Sequence, residues 1–163
     1  MWDKASNDDE GLNNFYNTHK NRYTWDSPHA KGVLIQAVND SVADVIKANV
    51  AGMAPDEVVK YVRTDFKQEA TADKFNIAKG YNPMIDHLMF GEAEATPKIK
   101  NFKVYFVVDG RIVESPEELN DVKALVVTDY QEQLENDWVN SLKNKHTVEV
   151  NQKELQRVRK SLK

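Results

Sequence analysis

Leu12, Phe15, Tyr16 and His19 recur at helical spacing after a polar start, which predicts a short amphipathic helix over about residues 9–21, closed by Tyr23 and Trp25 before Pro28. Val33, Leu34, Ile35, Ala37 and Val38 then form a compact β-prone run between Pro28 and Asn39-Asp40, the pattern of a strand buried on both faces. Val42, Val45, Ile46 and Val50 share one face of a helix over about 41–51, with Asn39 or Asp40 to accept from its free amides and Gly52 to stop it. Pro55, Asp56 and Glu57 open a second helix, whose apolar stripe is Val58, Val59, Val62 and Phe66. Residues 72–79 alternate as a half-exposed strand, and Asn82-Pro83 opens a short apolar helix that ends at Gly91. Residues 92–101 read as a loop. Val104 to Val108, then Asp109-Gly110, then Arg111-Ile112-Val113 predict a two-stranded hairpin, because Asp-Gly favours the positive φ angles of a type I′ turn.

Ser115-Pro116-Glu117-Glu118 has the pattern of a capping box, from which one apolar stripe (Val122, Val126 or Val127, Tyr130, Leu134, Trp138, Leu142) runs to about Asn144. Such a helix, about 40 Å long, exceeds the diameter of a small domain and would offer Tyr130, Leu134 and Trp138 to a partner. Residues 147–151 alternate as a short strand, and Leu155, Val158 and Leu162 stripe a final basic helix. The expected class is α+β: a βααβαββ domain over 26–115, an N-terminal helical lead-in over 1–25, and a C-terminal extension over 116–163 comprising a long helix, a short strand and a basic helix.

Composition narrows the chemistry. The 163 residues carry 22 Lys and Arg against 26 Asp and Glu, a formal charge of −4, which argues against nucleic acid as a partner. No apolar run approaches the roughly 20 residues that cross a bilayer, so no membrane insertion is expected. There is no cysteine, no Gly-x-Ser-x-Gly elbow and no closely spaced glycine set to cradle a phosphate. His19, His29, His87 and His146 stand apart, and Asp86-His87 are sequence neighbours that do not face each other on a helix. No metal, cofactor or catalytic residue is expected from these patterns. Six Phe, six Tyr and three Trp exceed what one helix pair buries, and a sheet covered by helices on one side would leave its other face for a peptide.

The order βααβαββ with a closing hairpin resembles the parvulin-type peptidyl-prolyl isomerases. Leu12-Asn13-Asn14-Phe15-Tyr16 through Lys20-Asn21-Arg22-Tyr23-Thr24-Trp25 resembles the lead-in of SurA- and PpiC-like exported foldases, and Val127-Thr128-Asp129-Tyr130 through Trp138-Val139 to Val148-Glu149-Val150-Asn151 resembles their C-terminal segment. The resemblance implies a periplasmic foldase, with this chain an excised C-terminal region of a longer protein or the mature portion of a shorter one. The first residues, Met1-Trp2-Asp3-Lys4, lack the pattern of a signal peptide. Where the family commonly carries His in its first and last strands, this chain has Val33-Leu34-Ile35 and Arg111-Ile112-Val113. The family's proline pocket, carried over, falls on Tyr81, Met84 and Phe90. The implied function is a chaperone or foldase module that binds unfolded or extended client polypeptides, without catalysis. Two alternatives are an active isomerase with an atypical pocket and a structural domain docking on the rest of a longer parent chain.

Overall fold

His29–Ala37 form strand β1, the middle of a three-stranded antiparallel sheet in the computed structural model, which describes residues 5–97, 101–146 and 151–161. Contacts divide the chain into two compact units, Asn21–Asp121 and Met1–Lys20 with Val122–Lys163. The first of these holds the sheet. After β1 come helix α2 (Asp40–Val50), helix α3 (Pro55–Asp65), strand β2 (Ala70–Ala78), helix α4 (Pro83–Phe90) and strand β3 (Val104–Val113). Strand order is β2, β1, β3.

Caps read from the sequence set the helix boundaries. Val42 N–H donates to the Asn39 side chain at 3.0 Å, opening α2, and Ala54 N–H donates to the Glu57 carboxylate at 3.0 Å, opening α3 behind Pro55. Asn82 accepts from Met84 N–H at 3.0 Å, and Gly91, at φ 72°, stops α4. Asp86 turns inward to accept from Gly80 N–H at 3.0 Å, while His87 Nδ1 bonds the Glu92 carbonyl oxygen at 2.7 Å. These neighbours therefore serve different partners.

β1 is buried on both faces, as its apolar run predicts. Val33, Ile35 and Ala37 pack against Ala43, Ile46 and Val50 of α2 and Val58 and Val62 of α3; Ala30 and Leu34 pack against Met84 and Ile85 of α4. Each fully buried aliphatic side chain contributes about 1.5–3 kcal/mol, so this one strand carries a sizeable share of a typical net stability of about 5–15 kcal/mol. The second sheet face is therefore not bare, contrary to the expectation of helices on one side only. α4 is apolar enough (Met84, Ile85, Met89, Phe90) that it must cover that face to be buried itself.

The expected hairpin is not formed. Val104–Val113 is one continuous strand paired along β1, with a register break in which Lys31 faces Arg111 but Val33 faces Val108. Asp109, at φ 52°, and Gly110 thus lie opposite Gly32 as a β-bulge. Asp-Gly supplies the unusual backbone the sequence demanded, but it kinks a strand instead of reversing it, because residues on both sides find partners on β1. The observed order in this unit is βααβαβ.

The capping box expected at Ser115 is also not used. Asp121 accepts from the amides of Glu117 and Glu118 at 2.9 and 3.2 Å, folding the segment into a tight turn that ends in a 3-10 turn at Leu119–Asp121. Lys31 Nζ reaches from β1 to Asp121 and Glu118, each at 2.7 Å. Asn76 Nδ2 donates to Asp121 at 2.8 Å, so its Oδ1 is left to accept from His29 Nδ1–H at 2.9 Å; the His29 ring stacks on Trp25 at 3.8 Å.

In the other unit, helix α1 (Asp9–His19) buries Leu12, Phe15 and Tyr16. Helix α5 (Lys123–Lys145) lies against it through Phe15 and Tyr130, whose rings are 5.5 Å apart, and the Tyr130 hydroxyl donates to Asp8 at 2.7 Å. A Cβ at Gly11 would sit 2.2 Å from that hydroxyl, so only glycine permits the approach. α5 is about 35 Å long and starts several residues later than the sequence suggested. Helix α6 (Gln152–Ser161) follows as the expected basic helix, whereas the strand expected over 147–151 falls largely on 147–150, outside the described residues.

Burial pushes the Asp121 carboxyl up, but the Lys31 ammonium and the two backbone amides outweigh it, so its pKa lies below the ordinary value. Burial lowers the Lys31 pKa, and its bonds to Asp121 and Glu118 outweigh that in turn, leaving it raised. A depressed acid stabilises the fold above its unfolded pKa, so this contribution is complete above about pH 5 and is lost as pH falls through the lower folded value; the Lys31 contribution is lost only in strong alkali. Lys31→Met is expected to cost about 1–3 kcal/mol at pH 7 by leaving Asp121 without its cation, and to flatten the acid limb of stability against pH in urea titrations at pH 2.5–7.

Candidate peptide-binding edge

β1 is paired on both sides and, among the described residues, no further strand pairs with β2 or β3, so each has one edge of backbone hydrogen-bonding groups left over. The two edges differ in chemistry. Mid-strand on β2, Asp73 pairs with Arg63 and Lys74 with Asp56, both at 2.6 Å and both reaching to α3. Charges of this kind discourage another strand from pairing. β3 has none over its first five residues: Val104, Tyr105, Phe106, Val107 and Val108 are uniformly apolar and only half-buried. An apolar, uncharged edge is a template for an added strand.

Beside this edge runs an open groove of about 730 Å³ between β3 and the α2–α3 connection, lined by Val50, Met53, Phe106 and Val108, with Lys47 and Asp109 also on its wall. Lys47 Nζ sits 4.9 Å from the centre of the Phe106 ring. On the opposite face of β3, the Tyr105 hydroxyl accepts from Ala95 N–H at 3.1 Å, and the His87 ring meets the Tyr105 ring edge-on at 6.3 Å.

A second cleft, about 650 Å³, lies over Lys31, Phe75, Asn76 and Asp121. Its cations are matched: Lys31 with Asp121 and Glu118, Lys74 with Asp56, Arg111 with Glu117 at 2.7 Å. These ion pairs hold the loop and match each cation of the cleft named here with a carboxylate.

The residues singled out from sequence scatter. Met84 is 5% exposed and fills the core beneath α4; Phe90 packs against the same cluster; Tyr81 is 78% exposed. They do not combine into one pocket wall. Tyr130 is tied to Asp8, Leu134 is half-buried and Trp138 is 52% exposed, with Leu142 one turn further along α5. Of the first-strand run, Val33 and Ile35 lie in the α2–α3 core and Leu34 beneath α4; Arg111 holds Glu117. The imidazoles of His19, His29 and His87 each bond a different partner, the Phe15 carbonyl, Asn76 and the Glu92 carbonyl. Sequence reading missed the β3 edge, which the assumed hairpin would have covered; the signal was five successive apolar residues with no alternation. It also passed over Lys31, one charge in an otherwise apolar strand.

Gly32, on the wall of the second cleft, has no room for a side chain. A Cβ there would lie 3.0 Å from Gly110 Cα and 3.2 Å from both Asp109 O and Phe75 Cζ. Gly32 thus lets the bulge and the Phe75 ring approach β1, and the bulge in turn ends the regular part of β3. Gly32→Val is expected to cost about 1–3 kcal/mol in chemical denaturation and to shift the amide resonances of Asp109, Gly110 and Phe75. Unchanged stability and spectra would contradict this packing.

No family model matches this chain, and no curated protein or solved structure matches it, so its function is read from the geometry of its own residues.

Proposed function

We propose that this chain is a non-catalytic chaperone or foldase module that holds unfolded or extended client polypeptide along the open edge of β3. The observation that carries the reading is the chemical inequality of the two sheet edges: charged and clasped by α3 at β2, apolar and unclasped from Val104 to Val108 at β3. An extended chain is the partner that satisfies both the unpaired backbone and the half-buried side chains of such an edge. The resemblance to SurA- and PpiC-like foldases agrees with this role and suggests the cell envelope as its setting. The non-catalytic half is supported by the imidazoles of His19, His29 and His87, each of which bonds a separate partner, the Phe15 carbonyl, Asn76 and the Glu92 carbonyl.

Fluorescently labelled unfolded peptides, with and without proline, titrated against the chain test the proposal. Both classes are expected to bind, to perturb amide resonances of Val104–Val108 and the neighbouring groove, and to show prolyl exchange no faster than in buffer. Val107→Lys, which places a charge on the edge, is expected to weaken binding about tenfold or more, with the fold checked by circular dichroism. Accelerated exchange would overturn the non-catalytic half of the proposal, and perturbations confined to other elements would overturn its location.

A further inference from the structure

Resting on the edge-binding reading above, the register of the sheet assigns a substrate class. Val38 N–H donates to Glu69 O at 2.9 Å, fixing which residues of β1 bond β2; by the alternation of antiparallel pairing, Ala37, Ile35 and Val33 bond β3. The Ala37 carbonyl indeed accepts from Lys103 N–H at 3.0 Å, on the β3 side. The β3 partners of Ala37, Ile35 and Val33 are Val104, Phe106 and Val108. These three spend their N–H and C=O on β1. Tyr105 and Val107 direct theirs outward.

Side chains alternate with the same period. Val104, Phe106 and Val108 pack toward α2 and α3, on the groove side, and Tyr105 and Val107 toward α4. In an antiparallel pair, opposed residues project to the same face, and only alternate pairs exchange hydrogen bonds. A segment added antiparallel to β3 would therefore give backbone bonds from the residues opposite Tyr105 and Val107. The residues opposite Val104, Phe106 and Val108 would put their side chains into the groove and their own N–H groups toward solvent. The groove is apolar at Val50, Met53 and Val108; its charged groups are Asp109 at the bulge end and Lys47 over Phe106, and the exposed pair of Lys47 with Asp44, at 3.7 Å, is longer than a hydrogen bond.

We infer that the ligand is an antiparallel extended segment with an apolar side chain facing Val108, a carboxylate facing Phe106 beneath Lys47, and proline refused at the positions opposite Tyr105 and Val107 but admitted at the groove-facing ones. The site reads backbone N–H groups, so proline matters by its position and not by its isomer.

The probe is the capped peptide Thr-Val-Thr-Glu-Thr-Val-Thr, whose Val, Glu and second Val face Val108, Phe106 and Val104. N-methylating the two threonines that flank Glu is expected to weaken binding at least about tenfold, and N-methylating Glu and the second Val to change it less than about twofold. Hydrogen exchange should slow at the Tyr105 and Val107 amides on binding, those of Phe106 and Val108 being already slow. Lys47→Glu should weaken the Glu peptide several-fold and favour a peptide with Lys in its place. Binding with equal tolerance of both methylation patterns and no new protection at Tyr105 and Val107 would overturn strand addition while leaving client holding intact. Failure of this peptide and of the unfolded peptides alike would remove both readings. Protection of those two amides without peptide, rising with protein concentration, would assign the edge to a second copy of the chain and overturn the inference.

Discussion

The fold of residues 21–121 depends on one strand having no surface of its own. β1 is bonded along both edges and covered on both faces, so β2, β3, α2, α3 and α4 are each placed by what they must do to it. Two helices follow β1 directly and take one face. The single short helix before β3 takes the other, which is why eight residues with an apolar surface nearly all round are stable there. The three strands of the described residues, arranged this way, leave two outer edges, and the sequence treats them differently.

At β2 the helix that follows β1 supplies the protection. α3 runs beside the strand, and its Asp56 and Arg63 meet Lys74 and Asp73 in opposite-sign pairs. Exposed pairs of this kind contribute little to stability, roughly 0–1 kcal/mol, so their effect on edge pairing outweighs their effect on folding. α2, on the other side of the same face, brings Val50 and Lys47 near β3, and that ammonium lies on the Phe106 ring with Asp44 3.7 Å away on its own helix. The groove is the space that remains because α2 stops at Val50 and the chain turns away through Gly52 toward Pro55.

What was legible in the sequence divides along a physical line. Local devices were read correctly: Asn39, Asn82, Pro55, Pro83 and Gly91 bound the helices they were expected to bound, because caps and stops act over three or four residues of backbone. The doubly buried β1 was legible from an unbroken apolar run. Asp109-Gly110 was legible as an unusual backbone but not as a bulge, since a hairpin and a bulge both need a positive φ and differ only in where the flanking residues find partners. The start of α5 was misjudged for the same reason. Ser115-Pro116-Glu117 satisfies a local rule, and a distant lysine on β1 overrides it by binding Asp121. The candidate edge was least legible of all, because an edge is defined by the strand that is not there.

The bulge joins these threads. Its two residues face Gly32, the glycine at which β1 can accept a close backbone neighbour, and beyond it β3 is exposed at the charged Arg111 and at Ile112 before Val113 is buried again. One glycine in the central strand therefore divides the outer strand into an apolar half open to pairing and a charged half committed to holding Glu117 and the turn that follows. For the holding role proposed above this division is sufficient. A prolyl rotation barrier of about 18–20 kcal/mol has to be lowered by groups converging on one bond, whereas retention of an extended chain needs only alternate amides and a trough beside them. His19, His29 and His87 each bond a separate partner, whereas the apolar half of β3 carries the alternate amides and the trough that the proposed holding role requires.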